Sequence, residues 1–279
     1  MQVSFPGIGI EMTVNRVAFN LFGMPIYWYG VIIAIGLIMG IITASLAAKK
    51  LGEKDDIILD IVLVCTPVSV VFARLYYVIF KWDMYKNNLM DIFDIRSGGI
   101  AIYGAVIGAV LAAYVYAKAK KKNPLFVFDV GSVGLITGQM IGRWGNFVNQ
   151  EAFGSNTSLP WGMTSKTVSE YLENLKMSGV NVNPDIPVHP TFLYESLWSL
   201  GVLIILFVIV YKHYRYNGQV FFAYASLYGL GRMWIEGLRT DSLMIGMFRV
   251  SQLIALASFL VFAFLYLYFC RKNRKITKE

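Results

Sequence analysis

Apolar residues run along this chain in seven long blocks, at about 26–48, 57–80, 98–117, 125–143, 189–211, 219–238 and 250–270. Each block is near the ~20 residues that a helix needs to cross a hydrocarbon layer. A spanning segment must satisfy its own backbone hydrogen bonds, so each block is predicted to be a helix. The pattern therefore predicts an all-α polytopic membrane protein. Residues 1–279 form one membrane domain with seven transmembrane helices, and a head insertion at 144–188 separates the fourth from the fifth. Pro25 and the run IYWYG at 26–30 mark an interfacial start to the first span, with aromatic rings at headgroup level. The first 25 residues lack the basic segment and continuous apolar run of a cleavable leader. They are expected to form an ordered segment lying partly on the bilayer surface.

Small residues recur at helical spacing in two blocks. Gly131, Gly134, Gly138, Gly142 and Gly145 share one face of the fourth span, and Ala101, Ala105, Gly108 and Ala112 form a similar stripe on the third. Close helix packing explains such stripes; a slot for a lipid tail or a peptide backbone is the alternative. The insertion predicts one helix at 168–178 between turn-rich pieces. Thr167-Val-Ser-Glu170 matches a capping box, Gly179 suits the stop, and Val168, Tyr171, Leu172 and Leu175 share a face. That face either covers the mouth of the bundle or rests on lipid.

Composition agrees with a membrane protein. The chain is 57% hydrophobic and 15% charged, against about 45–50% and about 25% in soluble domains. The net charge is +8, and loops 49–54, 118–122 and 212–215 with the tail 271–278 hold 14 of the 25 Lys and Arg. The positive-inside rule then places the C-terminus in the cytoplasm, and seven spans place the N-terminus and the 144–188 insertion outside. The basic excess is thus a topological signal, and no nucleic-acid partner is expected. Cys65 and Cys270 lie in apolar segments and read as packing residues. His189 and His213 fall on opposite sides of the membrane, and no ligand spacing predicts a metal.

Applied to the polar residues, this topology gathers them at one level. Tyr29, Arg74, Tyr103, Arg143, His189, Tyr194, Glu195, Arg232, Glu236 and Arg239 all fall near the outer boundary. Ionisable groups in a bilayer cost about 2.5–3.5 kcal/mol each on insertion scales and usually pair or face water. Arg232 and Glu236, four apart, can pair on their own helix, and Glu195 is expected to pair with Arg74. Although Glu151 and Asp241 are nearby in sequence, Arg143 and Arg239 have no obvious carboxylate partner on their own helices. They either snorkel to headgroups or grip one phosphate together, a task suited to the planar guanidinium fork. Transfer, hydrolysis and transport of a phospholipid would all be served by such a cluster.

The stretch GRWGNFVNQEAFG at 142–154 resembles the signature of bacterial prolipoprotein diacylglyceryl transferases, with Gly142, Arg143, Asn146, Phe147, Asn149, Glu151 and Gly154 at the matching positions. WYG at 28–30, ARLYYV at 73–78, GGIAIYGAVIG at 98–108, HPTFLYE at 189–195 and GRMWIEGLR at 231–239 are similar to further motifs of that family, in the same order. The resemblance implies a cell-membrane enzyme that moves the diacylglyceryl group of phosphatidylglycerol to the lipobox cysteine of a prolipoprotein, without a cofactor. A phospholipid-headgroup hydrolase or lipid transporter is the alternative. By matched position it implies that Tyr29, Arg143, Asn146, Gly154 and Arg239 are functional, with Glu151 in support. Tyr103 stands where many members carry a histidine, a candidate base; a neutral tyrosine, with a reference pKa near ~10, is a poor one. Glu151 and His189 are then the other candidate bases, and a thiolate formed by local positive potential without a dedicated base is the alternative. The candidate catalytic set is Arg143, Arg239, Tyr29, Tyr103 and Glu151, and the binding set is Arg143, Asn146, Gly154, Arg239, His189 and Glu236.

Overall fold

The computed structural model describes residues 1–53, 56–94, 98–240, 244–245 and 248–276. Asp241, which neighbours Arg239 in sequence, lies outside the described residues. The seven apolar blocks all fold as helix: α1 (Trp28–Lys50), α2 (Ile57–Phe80), α4 (Ile102–Ala119), α5 (Pro124–Asn149), α7 (Thr191–Val208), α8 (Gln219–Glu236) and α9 (Val250–Ile276). A single turn, α3 (Trp82–Tyr85), follows α2, and α6 (Lys166–Met177) lies between α5 and α7. A π-helical turn carries α7 on to His213. Among the described residues six helices are long and apolar enough to cross a membrane: α1, α2, α4, α5, α7 with its extension, and α9. Helix α8 is 18 residues long, but its Gln219, Arg232, Glu236, glycines and tyrosines leave it below that apolar composition.

Helix α5 is the spine, packed against α1, α4, α7 and α8. Asn123 caps its start by accepting from the Leu125 amide at 2.9 Å, and Pro124 supplies a preset first turn. Its glycine stripe is chiefly a packing surface for α1. A Cβ on Gly134 would sit 2.9 Å from the Gly40 carbonyl oxygen, and one on Gly40 2.9 Å from that of Gly134. The two backbones therefore touch, as small-residue helix pairs do. On α4 the buried stripe is Gly104, Gly108 and Ala112 against α2, one residue out of register with the predicted Ala101 and Ala105.

The fold is not purely helical. The first 27 residues form β1 (Gln2–Phe5), β2 (Ile10–Thr13), β3 (Val17–Leu21) and β4 (Met24–Tyr27). With β5 (Thr164–Ser165), β1 and β2 make an antiparallel sheet of order β2-β1-β5, while β3 and β4 form a hairpin. A second hairpin joins β6 (Met244–Ile245) to β7 (Phe248–Arg249). Alternation explains β1: Val3 and Phe5 point inward, packing with Phe153, Met163, Val168, Leu172, Val188 and Phe192. The insertion thus shares its core with the N-terminal strands. That core settles the face of α6, which buries Val168 and Leu172 against the sheet. The cap is Ser165, whose Oγ accepts from the Val168 amide at 3.2 Å, and not Thr167, which lies within the helix. Gly179, at φ +85°, closes the helix as expected.

Arg74 does not pair with Glu195. It is buried in α2 and donates to five backbone carbonyls, those of Asp91, Ile92, Asp94, Gly98 and Gly99, at 2.6–2.9 Å. Its guanidinium also stacks 5.1 Å from the Tyr85 ring centre. One cation so anchors the connection between α2 and α4. Arg74→Lys keeps the charge but loses the fork. The carbonyls lie in a partly exposed loop where water can replace some donors, so the loss of five charge-assisted bonds is expected to give a drop in unfolding temperature measured in detergent. An unchanged unfolding temperature would show that the clamp contributes little.

Candidate active site

The site forms where α5 ends, α7 begins and α8 passes into the segment leading to β6. Its hub is Glu195, 5% exposed and one turn into α7. Arg143, near the end of α5, pairs with Glu195 Oε2, and Arg239, just beyond α8, places Nη1 3.8 Å from Oε1. Arg232 on α8 reaches both oxygens, at 3.4 and 3.5 Å, and also pairs with Glu236. The Arg249 guanidinium donates to the Glu236 carbonyl. Three guanidiniums from three stretches of chain thus meet one carboxylate. Arg143 and Arg239, whose alternative was snorkelling to headgroups, both turn into the protein.

A polar chain leaves this hub along the end of α5. Arg143 Nη1 lies 3.5 Å from Asn146 Oδ1, and Asn146 donates to Glu151 at 3.0 Å; Asn149 donates to the same carboxylate at 3.4 Å. The backbone makes this return possible. Gln150 ends the helix at φ +56° and Ala152 repeats that value two residues on. A non-glycine residue in the left-handed region costs about 1–2 kcal/mol, and here the two turns fold Glu151 back over the helix end. Glu151, Asn149, Tyr29 and Arg16 line an open groove of about 660 Å³ with Pro25, Ile26 and Tyr27. Tyr29 lies against Gly145, where a Cβ would be 2.9 Å from its ring.

Gly154 carries no side chain into the site; its function there is close approach. Its amide donates to the His189 carbonyl at 2.9 Å, it bridges Arg239 in antiparallel fashion, and the Ser155 amide donates to Leu238 at 2.7 Å. A Cβ on Gly154 would sit 2.7 Å from His189 Cβ and 3.0 Å from the Leu238 oxygen. His189 faces Tyr194, with Nδ1 3.2 Å from the hydroxyl, which itself accepts from Trp161 Nε1 at 2.7 Å. Burial pulls the His189 pKa below the usual imidazole value. Tyr103 sits elsewhere: it is exposed, and its ring contact is with Tyr76 at 6.3 Å, between α2 and α4.

The sequence reading assigned Glu195 to the wrong arginine and missed Arg16, in the groove, and Asp129, at the other end of α5. The available signal for Glu195 was that it is the one carboxylate in the block 189–211. Asp129 is buried and accepts from the Gly218 and Phe221 amides at 2.6 and 2.8 Å and from the Tyr214 hydroxyl at 2.9 Å, capping α8. Both cysteines are free and half-buried. Among the described residues no three His, Cys, Asp or Glu side chains gather as a metal site.

The profile of the family described as prolipoprotein diacylglyceryl transferase matches residues 16–268. A protein of Clostridioides difficile named phosphatidylglycerol–prolipoprotein diacylglyceryl transferase is 43% identical over 265 residues, covering 95% of this chain and 99% of its own. Proteins of the same name from Finegoldia magna and Bacillus mycoides are 45% and 39% identical, over 87% and 89% of this chain and 91% and 90% of theirs. With six apolar spans, an arginine cluster at the motif positions and this extent of similarity, the chain belongs to the prolipoprotein diacylglyceryl transferase family, a family of membrane transferases.

Proposed function

We propose that this protein transfers the diacylglyceryl group of phosphatidylglycerol to the lipobox cysteine thiol of a prolipoprotein. The observation that carries the reading is the meeting of Arg143 and Arg239 on one anion, in a chain whose relatives bear that substrate in their names. In the proposed reaction a thiolate sulfur attacks the glyceryl carbon that bears the phosphate oxygen. A carbon–sulfur bond forms, the carbon–oxygen bond breaks, and its electron pair leaves on the phosphate as glycerol phosphate. The thiol proton passes to a base, for which Glu151 and His189 are the candidates near the hub. Arg143 and Arg239 stabilise the charge that grows on the phosphate, in a site where water is scarce and electrostatics are strong. Asn146 steadies Arg143, and Tyr29 lines the same groove as Glu151. Tyr103, packed with Tyr76, serves the lipid side and is not a base.

In this reading α8 is the seventh span. Its 18 residues reach about 27 Å, and its polar side chains are shielded by α5, α7 and α9. The N-terminus and the insertion then face outward, where the insertion receives the peptide, and the basic C-terminal end faces the cytoplasm. The test is to mix purified protein with phosphatidylglycerol and a lipobox peptide and to weigh the products. A diacylglyceryl adduct on cysteine with free glycerol phosphate is expected. Unmodified peptide from folded protein sinks the proposal, and diacylglycerol without adduct would assign hydrolysis instead.

A further inference from the structure

The guanidiniums assigned above to the lipid phosphate are held by a carboxylate of the protein itself. Arg143 and Arg239 approach different oxygens of Glu195, and Arg232 reaches both. Carboxylate and phosphate offer a guanidinium fork the same pair of charged oxygens. They compete for the same donors, since a fork turned fully to one anion has left the other. Glu195 sits on a rigid helix and is buried, while Arg232, paired with both Glu195 and Glu236, is positioned to keep Glu195 compensated if the other two arginines turn away.

We infer that Glu195 is an exchangeable counter-anion: it holds Arg143 and Arg239 in the empty enzyme, yields them to the lipid phosphate, and returns to displace glycerol phosphate after transfer. The inference rests on the phosphate reading above and deepens it. Charge supplies the reason for such a device. The phosphodiester of the lipid carries one negative charge, whereas the monoester product carries between one and two near neutral pH, its second pKa being about 6. Arginines that favour the leaving group as its charge grows also hold the finished product more tightly than the substrate. A tethered carboxylate that reclaims the same donors weakens that hold. It also keeps the guanidiniums ordered and compensated before substrate arrives, which avoids leaving buried charge unpaired.

The experiment compares wild type, Glu195→Gln and Glu195→Asp in phosphatidylcholine nanodiscs. Glycerol phosphate binding is measured by calorimetry, with KM and kcat for phosphatidylglycerol alongside. Glutamine keeps the shape and removes the competing charge, so E195Q is expected to bind glycerol phosphate about tenfold tighter or more. Its KM for phosphatidylglycerol should fall, and its kcat should fall as product release slows. The shorter carboxylate of Glu195→Asp should give a tightening between wild type and E195Q, and it decides the matter should the glutamine variant not fold. A merely structural role predicts the reverse, weaker binding and a lower unfolding temperature. Unchanged or weaker glycerol phosphate binding by folded variants overturns the inference. If wild type transfers lipid while that affinity stays unchanged, the counter-anion role alone falls. If wild type transfers nothing, the transferase reading falls, and the calorimetric affinities still judge Glu195.

Discussion

Arg143→Ala is expected to lower the transfer rate by about 10²–10³, the loss seen when one preorganised donor to a developing oxyanion is removed. The size of the effect follows from where Arg143 stands. It lies near the end of the helix that forms the spine of the bundle, meets the buried Glu195 with one nitrogen, and lies 3.5 Å from Asn146 with another. Its guanidinium is therefore held ordered and charge-compensated before any ligand arrives, and only has to exchange one anion for another. Alanine removes the charge and the fork together. Arg143→Lys keeps a point charge but cannot face Glu195 and Asn146 at once, so its rate should lie between the two. Glu195 keeps Arg232 and Arg239, so the alanine protein is expected to fold, and its unfolding temperature serves as the check. A folded Arg143→Ala protein within about tenfold of the wild-type rate would place the phosphate elsewhere.

Gly154→Ala should cost on the order of 10² in rate without touching a charged group. One methyl group would meet His189 Cβ at 2.7 Å, the Leu238 oxygen at 3.0 Å and the Thr191 side chain at 3.2 Å. Two of these neighbours are fixed by backbone hydrogen bonds to residues 154 and 155, so the strain passes to the segment carrying Arg239. A displacement of about 1 Å in a catalytic group is enough for a 10²-fold loss. Gly131→Ala is the matched control, because nothing lies within 4 Å of a Cβ added there. It should run at the wild-type rate. Equal rates for the two variants would show that the contact of 154 with 189 and 238 does not position Arg239.

The candidate site was legible in the sequence as far as residue type and level in the membrane. Arg143 and Arg239 could be named because an ionisable residue next to an apolar block stands out against it, and Asn146, Glu151 and Gly154 because they fall at matching positions of the family resemblance. Their partners could not be read. Glu195 is four residues from the start of its helix and Arg74 six from the end of another, so depth alone paired them. The rotation of each helix decided otherwise, turning Arg74 toward the carbonyls of 91–99 and Glu195 toward Arg143. The strands at the N-terminus were missed for a similar reason. Val3 and Phe5 alternate over too few residues to signal a strand, and their burial depends on a helix more than 150 residues away.

The sequence by itself determined where the long helices form, because length and apolarity act locally along the chain. It also marked the small-residue face of α5, which the structure packs against α1. The tertiary structure alone decided that three arginines share one carboxylate, that α6 covers a sheet and not lipid, and that Gly154 pairs with Arg239. Those outcomes rest on the relative rotation of packed helices and on contacts between residues far apart in sequence, and neither is encoded in any local pattern.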